Sequence, residues 1–219
     1  MPRIARIVIP HYPHHVTQRG NRRQKVFFSD EDYIFYKEKI AAALIQMQVE
    51  LWAYCLMPNH VHLVVVPETV EGLCDLFSQA HRHYTRRINF REGWRGHLWQ
   101  ERFHSFVMDE NYLLATVRYV ELNPVRARLC ESAEDWPWSS VHAHLKGEDD
   151  ELVTVKPMMD LVNDWHEYLG QQDQSMYKDI QRHSNTGRPL GNKAFIDKVQ
   201  AISGRDLRRK KPGPKPKAS

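Results

Sequence analysis

LWAYCLMPNHVHLVVV, residues 51–66, is the stretch that decides the fold. Two runs rich in β-branched and aromatic residues, 51–56 and 61–66, flank Met57, Pro58 and Asn59, which predicts two antiparallel strands joined by a tight connection. Upstream, HHVTQR at 14–19 reads as a strand leading into a glycine-containing turn at 20–23. Ser29, followed by three acids, marks a helix start, and Tyr33, Tyr36, Ile40, Ala43 and Leu44 then share one face. Downstream, Leu73, Leu76, Phe77, Ala80, Tyr84 and Ile88 recur at helical spacing over 72–90, and 103–108 reads as a last strand. The order is β-α-β-β-α-β. The expected fold class is therefore α+β, a ferredoxin-like antiparallel sheet with helices on one face.

A short helix over 110–123 follows and ends at Pro124. Beyond residue 128 the pattern is helical and loop-rich, with one helix opened by 136–140, another over 157–169 and an amphipathic one over 192–203. The expected division is a core over 1–145, a helical C-terminal extension over 146–204, and a basic tail over 205–219 that is extended and disordered when free.

Composition narrows the class. A hydrophobic fraction of 42% and a charged fraction of 26% in 219 residues suit a soluble chain able to bury a core. No apolar run approaches the roughly 20 residues of a membrane span, and the N-terminal apolar stretch is too short for a secretory signal. Cys55, Cys74 and Cys130 form no C-x-x-C pair, which argues against a disulfide framework or zinc knuckle and for a reducing cytoplasm. The net charge of +4 conceals an asymmetry: residues 1–29 carry +6, residues 205–219 carry +6, and the body between them carries −8. Basic ends on an acidic body suit a polyanion binder or a solubilising tail.

Two patterns carry candidate chemistry. His60 and His62 enter an apolar strand two residues apart, so both side chains project from one face while Val61 faces the other. Two such imidazoles can bind one divalent ion, although thirteen histidines make a chance pair easy. On the short helix, Leu113, Val117 and Val120 form the expected core stripe, while Tyr112, Thr116, Tyr119 and Asn123 form another, displayed away from the core. A tyrosine and a carboxamide one turn apart suit a nucleophile beside a metal ligand. Equally, Tyr119 could pack in an interface and Asn123 merely end the helix.

Four blocks then resemble a known family. YCLMPNHVHLVV at 54–65, WQERF at 99–103, YVELNPVRA at 119–127 and DWPWSS at 135–140 closely resemble the single-tyrosine HUH transposases, most of all the REP-associated tyrosine transposases. The resemblance covers roughly residues 10–145. It implies that His60 and His62 bind Mg²⁺ or Mn²⁺, that Tyr119 is the nucleophile, and that Asn123 stands where a third ligand is supplied; related transposases often have glutamine there. The implied activity is cleavage and rejoining of single-stranded DNA at REP-like hairpins with an adjoining tag, through a 5′-phosphotyrosine. A monomer is favoured, and a dimer exchanging the tyrosine helix remains open. The alternatives are a replication- or conjugation-type HUH nickase and a non-catalytic hairpin-binding protein. Tyr112 is the competing tyrosine, expected to line the cleft; Tyr84, Trp136 and Trp138 read as packed anchors.

The candidate DNA contacts are basic. Arg19, Arg22 and Arg23 surround the first turn, Arg82, Arg86 and Arg87 mark one helix, and Arg102 follows the WQERF block's glutamate. Arg188 lies in TGRPLG, and Arg208, Arg209, Lys210 and Lys211 open a tail similar to minor-groove-binding segments.

Overall fold

The structure, a computed structural model, describes residues 6–171 and 173–207. Strand β1 (His14–Arg19) leads through a 3-10 turn to helix α1 (Asp30–Met47). Strands β2 (Val49–Met57) and β3 (His60–Pro67) form the hairpin, followed by α2 (Gly72–Glu92), β4 (His104–Val107) and α3 (Glu110–Glu121). The sheet order β2-β3-β1-β4, with every neighbouring pair antiparallel, is the ferredoxin-like topology. Alternation along the strands separates two faces. Val16, Tyr54, Leu56, Val61, Leu63 and Val65 lie under α1 and α2 in one apolar cluster. Ser29 occupies the expected cap position of α1, while the buried Asp32 accepts from the Phe28 amide and from both terminal nitrogens of Arg91 on α2.

The other face is covered as well. Ala53, Cys55, Met57, Val64 and Phe106 pack against Leu113, Val117 and Val120 of α3 and against residues from much later in the chain. After α4 (Asn123–Arg126) come α5 (Val141–Lys146), α6 (Lys156–Met159), α7 (Trp165–Gly170), α8 (Gln174–Thr186) and α9 (Lys193–Ser203). Met158, Trp165, Tyr168, Tyr177 and Ile180 join that second cluster, so α3 is sandwiched between the sheet and the C-terminal helices. α9 closes a third cluster with Ile7, Ile9 and Val107. No helix among the described residues is long and apolar enough to cross a membrane.

Several local expectations change, each for a physical reason. The chain does not stop at Pro124 but turns and restarts, with the proline in the first turn of α4, where no amide hydrogen is needed. Residues 136–140 do lead into a helix, with Ser140 as the N-cap of α5, but they are not themselves helical. Their backbone pairs with β2, Leu56 N donating to Trp138 O at 2.8 Å and Ser140 N to Tyr54 O at 3.0 Å, which covers the free edge of the sheet. The helix expected over 157–169 is broken in two, and Asp164 caps the second piece by accepting from Glu167 N. Helix α8, largely polar but strongly one-sided, stands where no separate helix is expected from the sequence.

The stripe bearing Tyr119 also differs from expectation. It does not face solvent: Thr116, Tyr119 and Asn123 are all buried, and the Tyr119 ring lies against His15 and His62 of the sheet. On the opposite side of α3, Glu121 is fully buried and its carboxylate accepts from Ser140 Oγ at 2.6 Å, His144 Nδ1 at 2.6 Å and Trp165 Nε1 at 2.9 Å. One side chain thus ties α3 to α5, α7 and the segment on the sheet edge.

Candidate active site

The strand register assembles the site. Arg19 pairs with His60, Thr17 with His62 and His15 with Val64, placing all six on the face covered by α3. Arg19, Thr17, His60 and His62 line a cavity of about 660 Å³ at the end of that face. Tyr119, Asn123 and Arg126 form a second wall, Gln100, Glu101 and His104 a third, and Gln181, Ser184 and Asn185 of α8 complete it. The two candidate histidines and the candidate nucleophile therefore share one concavity. Tyr119 is 8% exposed, and its ring stands nearly perpendicular to that of His62, with centroids 5.8 Å apart.

Each histidine is oriented by a neighbour. His60 Nδ1 lies 2.6 Å from the side-chain oxygen of Asn59, and His62 Nδ1 lies 2.9 Å from His15 Nε2. Both rings thus have one nitrogen engaged and Nε2 left over, their centroids 4.9 Å apart. Burial, reinforced by the positive charge of Arg19, lowers the His60 pKa to about 4. Burial holds His62 well below the usual imidazole range, with His60, His15, Arg126 and Arg19 adding to the effect. Both rings are neutral at pH 7, the form that has a lone pair to give a metal.

The chemistry of these groups fits a divalent ion. Asn123 Nδ2 is buried without a hydrogen-bond partner, and half a turn of the carboxamide presents its oxygen instead. Two imidazole nitrogens and one amide oxygen make an incomplete donor set, which suits a catalytic metal that must also take phosphate oxygens and water. Among the described residues no cluster of three or more histidine, cysteine, aspartate or glutamate side chains offers an alternative.

Arg126 is the site residue that charge counting overlooked. Its guanidinium carbon lies 3.7 Å over the Tyr119 ring, and Nη1 donates to the Tyr119 carbonyl at 3.1 Å. Stacking and hydrogen bond together restrict the tyrosine and put a positive charge beside the histidine pair. His15, Gln181 and Ser184 were likewise missed: no spacing rule reports a cross-strand partner or a helix arriving from 60 residues away.

The remaining candidates are distributed as follows. Arg23 lines the cavity with Arg19, while Arg22 and Arg102 are exposed and do not. Arg82, Arg86 and Arg87 stand on α2, across the sheet, with Arg87 over the Phe35 ring at 4.3 Å. Arg188 donates to Leu207 O. Arg208, Arg209, Lys210 and Lys211 lie outside the described residues. Among the competing tyrosines, Tyr112 hydrogen-bonds Asp179 at 3.1 Å and is not on the cavity wall, and Tyr84 donates to Val26 O within the core. Trp138 stacks on Tyr33, and Trp136 donates to Leu56 O.

A ferredoxin-like sheet with a histidine pair facing a buried tyrosine defines the class to which comparison with known proteins also leads. Residues 9–123 match the family described as "Transposase IS200 like", and the chain belongs to that family. A curated relative from Haemophilus influenzae, named "Putative REP-associated tyrosine transposase", is 28% identical over 110 residues, covering 45% of this chain and 62% of the relative. The chain thus spans less than two thirds of that relative's length. A solved structure, "Structure of the REP associates tyrosine transposase bound to a REP hairpin", superposes with a TM-score of 0.55 at 23% identity, covering 70% of this chain and 92% of that one. At that identity the superposition bears on the fold alone.

Proposed function

We propose that this chain is a metal-dependent endonuclease and strand transferase that acts on single-stranded DNA beside a REP-like hairpin. The observation that carries the reading is convergence: the Tyr119 ring and the His60–His62 pair come from different elements and line one cavity. Single-stranded substrate suits a phenol only 8% exposed, because one backbone phosphate must enter the concavity, which a stiff duplex resists.

In the proposed reaction the Tyr119 oxygen attacks phosphorus in line. The new bond joins the phenolic oxygen to phosphorus and the bond to the 3′-oxygen breaks; the phenolic proton passes to solvent, and the departing 3′-oxygen takes a proton from solvent to leave as a 3′-hydroxyl. The 5′-phosphotyrosine conserves the bond, so a DNA 3′-hydroxyl attacking it reseals a strand without an external energy source. His60, His62 and Asn123 would hold Mg²⁺ or Mn²⁺, which supplies charge stabilisation at the non-bridging phosphate oxygens when bound. Arg126 holds the phenol in line, and Arg19 and Arg23 neutralise neighbouring phosphates. The exposed Arg82, Arg86 and Arg87 are available to the hairpin outside the cavity.

The test is incubation of the full chain with single-stranded hairpin oligonucleotides and Mg²⁺ or Mn²⁺, resolved on denaturing gels. A protein–DNA adduct is expected for the unaltered chain and not for Tyr119→Phe, with hairpin binding retained in both. Binding without any adduct in the unaltered chain would favour a non-catalytic hairpin binder. An adduct persisting in Tyr119→Phe would assign the nucleophile elsewhere.

A further inference from the structure

His15 is not on the cavity wall, yet it is 1% exposed and its ring lies nearly parallel to that of His62, 6° between the planes. It is one link in a continuous file of polar atoms. Ser184 Oγ donates to the Ile180 carbonyl at 2.9 Å and lies 3.4 Å from His15 Nδ1, and His15 Nε2 lies 2.9 Å from His62 Nδ1. Phe106 closes one side of His15 with its ring edge, 5.2 Å between centroids.

The direction of this file follows from its end. The Ile180 carbonyl can only accept and is much the shorter contact of Ser184 Oγ, 2.9 Å against 3.4 Å to His15, so the single hydroxyl proton goes to Ile180. The hydroxyl oxygen must then accept from His15, which puts the His15 proton on Nδ1 and a lone pair on Nε2. His62 can meet that lone pair only by carrying its own proton on Nδ1. What remains on His62 is an unprotonated Nε2. We propose that this file, anchored on α8, sets the tautomer of His62 and so decides which ring nitrogen the site offers to a metal. His60 needs no such file, because the oxygen of Asn59 one residue away fixes its Nδ1 proton directly.

Helix α8 lies outside the family-matched residues 9–123. The C-terminal helices therefore act on the histidine pair, not only as a cover over α3. Outer partners of metal-ligating histidines fix tautomer and ring orientation in this way, and losing one costs about 10–100-fold in metal affinity. The metal consequence rests on the function proposed above. The tautomer does not.

The experiment is ¹⁵N NMR of the imidazole nitrogens in the metal-free full chain, followed by calorimetric titration with Mn²⁺ in the absence of DNA. In the unaltered chain His62 is expected with Nδ1 protonated and Nε2 bare. Ser184→Ala frees the His15 proton, so a second His62 signal with Nε2 protonated should appear and Mn²⁺ affinity should fall about tenfold. His15→Phe, which keeps a ring but removes the acceptor, should do more, and His15→Gln, which restores an acceptor, should recover most of the loss. A protonated Nε2 on His62 in the unaltered chain overturns the proposal. So does an unchanged tautomer in folded Ser184→Ala and His15→Phe. No Mn²⁺ binding by the unaltered chain would instead overturn the metal reading, with the tautomer populations still deciding the role of the file.

Discussion

Tyr119 meets His62 edge-on, at 5.8 Å between ring centroids and 75° between planes. The phenol and the imidazole thus share one wall-to-wall space. If the pair holds the metal, His60→Ala combined with His62→Ala should abolish adduct formation while the thermal melt stays cooperative. Cleavage by that variant at the unaltered rate would remove the metal assignment.

Arg126 offers a second test, because it contacts the nucleophile by both ring and backbone. Arg126→Ala should lower single-turnover cleavage about a hundredfold, the scale expected when a reacting group loses its alignment. Arg126→Lys keeps the charge but not the planar stack, so it should recover only part. Full recovery by lysine would mean that charge alone matters.

Glu121 makes a prediction about stability. Replacing it with alanine leaves the His144 and Trp165 donors unpaired in the interior, while Ser140 Oγ can turn to the Tyr54 carbonyl. Urea unfolding should show a loss of roughly 2–6 kcal/mol, at about 1–3 kcal/mol for each of the two buried donors left unsatisfied. Glu121→Gln keeps an acceptor and should lose less.

Salt dependence separates the basic groups. Arg19 and Arg23 line the cavity, whereas Arg82, Arg86 and Arg87 stand across the sheet. For a hairpin-free single strand, Arg19→Ala with Arg23→Ala should reduce the slope of log affinity against log salt by about 0.7 for each lost phosphate contact. Replacing all three α2 arginines should leave that slope unchanged and lower it only with a hairpin. Fluorescence anisotropy over a salt series reads both.

His14 predicts an acid transition. It is fully buried, accepts from the Ile9 amide through Nε2, and lies 2.7 Å from the Tyr12 carbonyl through Nδ1, an arrangement that needs the neutral ring. Burial lowers its pKa from 6.5 to about 4, with the Tyr12 contact opposing. Between those values the unfolded chain binds a proton that the folded chain does not, so stability falls as pH drops from 6.5 towards 4 and is insensitive to this group above 6.5. His14→Gln should show a shallower decline in chemical-denaturation midpoint across that window. An identical decline would place the acid sensitivity in the other buried histidines.

The sequence by itself determined the sheet, the two helices on its first face, the pairing of His60 with His62, and the candidate tyrosine. The sheet, the helices and the histidine pair are written in local periodicity, with alternation two residues apart, apolar repeats at 3.6 and turn residues between them, whereas the choice of Tyr119 rests on the motif resemblance. It also showed that Tyr119 and Asn123 share a stripe, but not what that stripe meets. Periodicity marks a face as distinct from the core side without saying whether solvent or another helix lies opposite. Here the answer depends on α8, whose few apolar residues Met176, Tyr177 and Ile180 mark one face of a largely polar helix without showing what that face packs against. The same is true of His15 and Arg126, which become site residues through a cross-strand hydrogen bond and a ring contact. The first joins strand residues 47 positions apart in sequence and the second depends on the turn between α3 and α4, so only packing in three dimensions settles them.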